Sequence, residues 1–300
     1  MESFYSNGKL LLTGEYVVLD GAKALAVPTK YGQFLDVKAT DSKSILWKST
    51  GEKGSIWFED TFTISEGTII SALQNNPISE RLIQILETAK HLNPEFLNSG
   101  YDIESRLTFP KDWGLGSSST LLNNIADWAK IDPYQLLDKT FGGSGYDMAC
   151  AKHNTAITYQ LINEKRHIQP IHFNPVFKDN LYFVYLNQKQ NSRDGIASYR
   201  KTSKTNTLAL SEISEITEQI IICKELSDFN SLIIQHESII SKLINQPTVK
   251  SRLFPDFNGE LKSLGAWGGD FILASSSENP TAYFKAKGFH TILRYQDLIL

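Results

Sequence analysis

A loop rich first in glycine and then in hydroxyls, Phe109-Pro110-Lys111-Asp112-Trp113-Gly114-Leu115-Gly116-Ser117-Ser118-Ser119-Thr120, runs straight into a segment of helical periodicity. Upstream, Tyr101–Phe109 alternates apolar and polar residues as a strand does. Downstream, Leu121, Leu122, Ile125, Trp128 and Ala129 fall on one helix face. The chain is therefore constrained to a strand-loop-helix unit. The first amides of such a helix lack intrahelical partners, and they and the helix dipole favour an anion. Serine hydroxyls in that turn reach a phosphate or a magnesium ion. No Walker A pattern occurs in the sequence. Taken alone, the loop reads equally as a plain helix N-cap.

Composition narrows the function classes. Lys and Arg total 30 against 33 for Asp and Glu, with no basic tail or stripe, which argues against nucleic acid as the main partner. The two cysteines, Cys150 and Cys223, have neither metal-ligand nor redox spacing and read as free thiols. The six histidines show no zinc-type pairing. Leu10-Leu11-Leu12 is too short to cross a bilayer, and the first residues do not resemble a signal peptide. A soluble cytoplasmic protein without membrane partners is the expectation.

Along the chain, Lys9–Leu12, Tyr16–Leu19, Ala24–Val27 and Phe34–Ala39 read as strands broken at Gly14, Asp20-Gly21 and Gly32. Ile69–His91 has helical periodicity that Pro77 interrupts, and a short helix starts near Asp132-Pro133. Asn154–Leu161 and Leu181–Leu186 read as strands, and Leu208–Leu226 and Ser231–Ile244 as amphipathic helices. The chain ends with strand Phe271–Ser275, a helix from Asn279-Pro280 to Gly288, and strand Thr291–Tyr295. This is an α+β pattern of two lobes, expected as residues 1–155 and 156–300. Trp47, Trp57 and Phe58 read as core and sheet residues.

Four segments stand out in order: Gly8-Lys9-Leu10-Leu11-Leu12-Thr13-Gly14-Glu15-Tyr16, then the Gly/Ser loop, then Ser144-Gly145-Tyr146-Asp147, then Gly265-Ala266-Trp267-Gly268-Gly269. With Val18 and Gly21, this ordered set resembles the motifs of the GHMP kinases, a superfamily that includes galactokinase and homoserine, mevalonate and phosphomevalonate kinases. The likeness covers essentially the whole chain. It implies a ribosomal-protein-S5-like N-terminal lobe that binds ATP, and a ferredoxin-like C-terminal lobe bearing the last glycine loop.

The resemblance also implies roles. Gly114, Leu115, Gly116, Ser117, Ser118 and Ser119 would hold the ATP phosphates, with Ser118 also a Mg2+ ligand. Gly265, Ala266, Gly268 and Gly269 would close over the nucleotide. Asp147 would accept or orient the acceptor hydroxyl's proton, and Lys9 would steady the transferring phosphoryl oxygens. Glu15 would set its turn or contact substrate, and Ser192 and Arg193 would meet an anionic substrate. Alone, each has a plainer reading: Lys9 as a surface lysine, Asp147 as a helix cap, Gly265–Gly269 as a turn, Gln188–Arg193 as a polar loop.

Some positions depart from the pattern. Leu136 stands near the acidic magnesium ligand of mevalonate kinase-like members, with Asp138 a substitute. Trp267 replaces a glycine, and Asp112 a small residue. The implied activity is phosphorylation of mevalonate or phosphomevalonate in isoprenoid precursor synthesis, and Lys111, Arg193 and Arg200 are candidate phosphate partners for the latter. A non-catalytic nucleotide-binding homologue and a diphosphomevalonate decarboxylase-like enzyme are the alternatives. The partners expected are ATP and a small molecule, with a homodimer left open.

Overall fold

A computed structural model describes residues 1–65, 68–188, 192–202, 206–267 and 269–300, with backbone alone at 192–194, 198 and 202. The first half contains β1 (Glu2–Thr13), β2 (Ala24–Thr40), β3 (Ser44–Thr50), β4 (Ile56–Ser65), β5 (Thr68–Ser71), α1 (Pro77–Leu92), β6 (Gly100–Leu107), α2 (Ser117–Ala129), α3 (Pro133–Thr140) and α4 (Tyr146–Lys152). The second half adds β7 (Ile157–Ile162), β8 (Lys165–Pro170), β9 (Leu181–Tyr185), α5 (Ser192–Thr202), α6 (Thr207–Ile222), α7 (Leu226–Ile244), α8 (Val249–Leu253), β10 (Glu260–Ser263), β11 (Phe271–Ser275), α9 (Thr281–Ala286), β12 (Ile292–Arg294) and α10 (Tyr295–Leu298).

The chain divides into two compact units. One comprises Met1–Gly8, Tyr31–Lys111 and Leu115–Lys152; the other comprises Lys9–Lys30, Asp112–Gly114 and His153–Leu300. Strands β1 and β2 pair with each other, and each contributes residues to both units.

In the first unit the strand order is β5-β4-β3-β6-β2, with β3 parallel to β6 and the other neighbours antiparallel. Alternation along the strands points one set of side chains to one face. The register aligns Val37 and Trp47 on either side of Ile103. These residues join Leu82, Ile85 and Leu86 of α1, Leu122 and Ile125 of α2 and Leu136 of α3 in one core. Burying side chains of this size stabilises by about 1.5–3 kcal/mol each. Helix starts follow local chemistry: Asn76 caps α1 and Asp132 caps α3, each followed by proline at the first position.

The second unit contains a sheet of order β10-β11-β9-β12. Because β11 and β12 both run antiparallel to β9, they are parallel to each other, with α9 as the intervening helix. Its core gathers Tyr182, Val184, Phe254, Leu261, Ile272 and Phe284. Helix α7 packs on β10 and on α6. The start of β2 pairs with β7, and β7 with β8.

Three sequence expectations change. Ile69–Ser71 lies in strand β5, paired with β4, and the helix begins only at Pro77, where Asn76 caps it. Ala24–Val27 and Phe34–Ala39 belong to one strand, because Gly32 sits inside it, where the main chain packs against Tyr5 and Ser6. Tyr16–Leu19 is not a strand. Gly14 (φ 89°) and Tyr16 (φ 65°) reverse the chain into a 3-10 turn over Val17–Asp20, and that turn buries the β-branched pair Val17-Val18.

Candidate active site

In the first unit, α2 begins at Ser117 behind Gly116, which adopts a left-handed φ of 87°. The N-cap residue, Gly116, has no side chain with which to cap this terminus, and the first turn holds no acidic residue. The amides of Ser117, Ser118 and Ser119 therefore lie where an α-helix has no internal acceptors. Leu115 is buried and anchors the loop; Ser118 is exposed, while Ser117 and Ser119 are half-buried.

Three side chains fix α2 to the sheet. Thr120 Oγ1 donates to Gln33 Oε1 at 2.5 Å, Asn124 Nδ2 donates to Gln33 O at 2.9 Å, and Ser6 Oγ donates to Asn124 Oδ1 at 2.8 Å. A fourth ties α2 to α4: Asn123 Nδ2 donates to Met148 O at 2.9 Å. Asp147, half-buried in the first turn of α4, precedes that carbonyl by one residue. The unit thus brings the serine-rich helix start and the Asp147 helix together. Gly142, Gly143 and Gly145 all have positive φ, which lets the chain turn sharply into α4.

Leu136 is fully buried in the core, so that position offers no metal ligand, and Asp138 is exposed on α3. Among the described residues no group of three His, Cys, Asp or Glu side chains could hold a metal ion.

In the second unit, Lys9 is buried in β1. Gly114 (φ 68°) lies against Asp270, where an added Cβ would stand 2.5 Å from the carboxylate carbon. Trp113 meets Phe271 edge-on at 5.4 Å, and Tyr185 Oη donates to Asp112 O at 3.0 Å. The last glycine segment and residues 112–114 are thus knit together. In that segment Gly265, Trp267 and Asp270 have positive φ, Ala266 is half-buried and Gly269 buried; Gly268 lies outside the described residues. Trp267 is itself buried, and its Nε1 has no hydrogen-bond partner among the described residues.

Ser192 and Arg193 open α5. That helix docks on the first motif: Tyr199 stacks on Tyr16 at 5.5 Å and its hydroxyl donates to Asp20 Oδ2 at 2.6 Å. Gly195 leaves room for the Tyr16 hydroxyl, which an added Cβ would approach to 2.7 Å. Burial, then the Glu15 charge, pushes the Tyr16 phenol up to about 12.

Glu15 is fully buried. Lys262 Nζ donates to its Oε1 at 2.5 Å, and His236 Nε2 lies 3.3 Å from its Oε2. Sequence reasoning missed His236, Glu237 and Lys262. A signal existed: His236 and Glu237 interrupt the apolar stripe Phe229, Leu232, Ile233, Ile240, Ile244 of α7, where polar side chains need buried partners.

Neither a protein-family model nor a curated relative matches the sequence. Solved structures do match the fold. Streptococcus pneumoniae phosphomevalonate kinase in complex with phosphomevalonate and AMPPNP aligns with a TM-score of 0.73 at 15% identity, over 98% of this chain and 100% of that one. Methanococcus jannaschii mevalonate kinase gives 0.70 at 15% identity over 98% of both chains. Lactococcus lactis galactokinase complexed with galactose gives 0.67 at 13% identity, over 95% of this chain and 88% of that one. The α+β architecture of this chain is the two-lobed fold of the GHMP kinases.

Proposed function

We propose that this protein is an ATP-dependent kinase that transfers the γ-phosphoryl group to a small metabolite, with mevalonate or phosphomevalonate as acceptor. One observation carries the reading: an uncapped helix start bearing Gly116-Ser117-Ser118-Ser119 is tied to the helix bearing Asp147 by the bond from Asn123 to Met148. In phosphoryl transfer the protein supplies positioning and charge stabilisation. The amides of Ser117–Ser119 and the glycine turn at Gly114 and Gly116 suit phosphate oxygens. Asp147 orients the acceptor hydroxyl and takes its proton, Lys9 stabilises charge on the transferring group, and Ser192 and Arg193 bind an anionic acceptor.

The residues present fit magnesium only as the triphosphate's own ion. Mg2+ keeps several waters and takes few protein ligands beside phosphates. The exposed Ser118 hydroxyl is the protein ligand we assign to it, and the ion would supply charge neutralisation at the phosphates. The loop Gly265–Gly269 closes on the nucleotide in this reading, and the protein acts in the cytoplasm.

A second reading, a nucleotide-binding homologue without catalysis, draws on the buried Leu136 in place of an acidic ligand. Coupled ADP release measured over mevalonate, phosphomevalonate, homoserine and sugars separates the two. Turnover with one of the first two is expected. ATP binding without turnover on any acceptor favours the second reading, and carbon dioxide release would instead indicate a decarboxylase.

A further inference from the structure

The turn that ends β1 is held by ionisable side chains from three distant stretches of chain: Glu15 itself, His236 and Glu237 of α7, and Lys262 of β10. All four are buried. Two carboxylates face one ammonium, so Lys262 can neutralise only one of them. Its Nζ donates to Glu15 Oε1 at 2.5 Å and to Ser263 O at 2.9 Å. Glu237 is bound differently, accepting from the Ser263 amide at 3.0 Å and from the Ser263 hydroxyl at 3.2 Å. The Gly14 amide donates to His236 Nε2 at 3.0 Å, which makes that nitrogen an acceptor and the imidazole neutral. Burial, then Lys262, holds His236 well below the usual imidazole range. Burial pushes Glu15 upward against the opposing pull of Lys262, and pushes Glu237 up to about 8.

Resting on the kinase reading above, we propose that Lys262 is a positioning residue for phosphoryl transfer. It commits its single charge to Glu15 and so fixes the Gly14–Glu15 turn at the end of the strand that carries Lys9, while Glu237 is held by the amide and hydroxyl of Ser263. Among the described residues, the other elements packed against α7 bring no further charge to this cluster. Helix α6 presents Thr217, whose hydroxyl meets that of Thr13 at 2.7 Å, and its Glu212, Glu215 and Glu218 are exposed, Glu218 pairing with Lys23. On α5, Arg200 and Lys201 are exposed.

The sign of the pH effect follows. The folded protein holds the Glu237 proton up to about 8, whereas the unfolded chain releases it at the ordinary carboxylate value. The stability this residue contributes is full below that value and is lost as pH rises through about 8. Above pH 8 the second carboxylate ionises and draws on Lys262.

The test compares wild type with Lys262→Met, Lys262→Arg and Glu237→Gln, measuring kcat, KM and thermal unfolding from pH 6 to 9. Lys262→Met should lower kcat by about 10²-fold with the KM for ATP little changed, as expected of a misplaced turn. Lys262→Arg should recover part of the loss. Wild-type kcat should fall as pH rises through about 8, and that limb should be absent in Glu237→Gln. Wild-type kcat in Lys262→Met, or an unchanged alkaline limb in Glu237→Gln, overturns the proposal. Should Lys262→Met fail to fold, the Glu237→Gln comparison decides alone. If wild type itself transfers phosphate to no acceptor, the kinase reading fails, and unfolding still tests the cluster. Near pH 7 wild type should release about one proton more than Glu237→Gln on unfolding; equal release overturns the placement of that proton.

Discussion

Thr120, one turn into α2, donates its hydroxyl to the side-chain carbonyl of Gln33 in β2, 2.5 Å away. Gln33 in turn donates from Nε2 to Ser105 Oγ on β6 at 2.7 Å, so the serine-rich helix start is bonded to two neighbouring strands. Thr120→Val keeps the side-chain shape and leaves Gln33 Oε1 buried without this donor. A loss of about 1–3 kcal/mol is expected in urea unfolding. Nucleotide affinity should weaken as well, because the helix start is no longer held. Unchanged stability would show that the bond contributes nothing net.

Asp147→Asn preserves size and hydrogen bonding but cannot take a proton. If Asp147 orients and deprotonates the acceptor, kcat should fall about 10²–10⁴-fold. Nucleotide binding, measured by calorimetry, should persist. A variant that loses ATP binding in proportion to turnover would place Asp147 in nucleotide binding instead.

Gly114→Ala meets two obstacles, a φ of 68° and a Cβ position 2.5 Å from the Asp270 carboxylate carbon. The left-handed backbone alone costs about 1–2 kcal/mol for a side chain other than glycine. Unfolding should show at least that loss. Adding Asp270→Ala should return the steric part only, leaving the backbone cost. Full recovery in the double variant would mean the dihedral strain is negligible.

His236 is buried neutral, so its contribution to stability is complete above about pH 6.5 and is lost as pH falls toward its depressed folded value. The slope is about 1.4 kcal/mol per pH unit for one proton. Glu237 contributes the opposite slope over part of that range, so the informative quantity is the difference between wild type and His236→Gln. Glutamine offers an acceptor to the Gly14 amide without titrating. Wild type should lose stability relative to this variant below pH 6.5, as followed by chemical unfolding at pH 5, 6 and 7. Parallel profiles would contradict the neutral imidazole.

Much of the fold is written locally. The Asp132-Pro133 start of α3, the Pro77 start of α1 and the alternation through β6 follow from capping, proline geometry and side-chain period. The order of the four motifs gave the architecture through their resemblance to those of the GHMP kinases. The turn after Gly14 was not legible, since Val17 and Val18 suit a strand and only the reversal at Tyr16 bends them into a helix turn. The Glu15 cluster was hidden for another reason. His236 meets Gly14 across 222 residues and Lys262 meets Glu15 across 247, and no local rule links a glutamate to a lysine at that distance.

That separation bears on how the protein is made. Thr13, Gly14 and Glu15 leave the ribosome long before their partners, Thr217, His236 and Lys262. Contacts so remote in sequence close late, because the loop between them must be ordered first. The turn at Gly14–Glu15 therefore waits for its partners until α6, α7 and β10 have been synthesised. Chain termination before Lys262 would release a polypeptide in which Glu15 lacks its lysine.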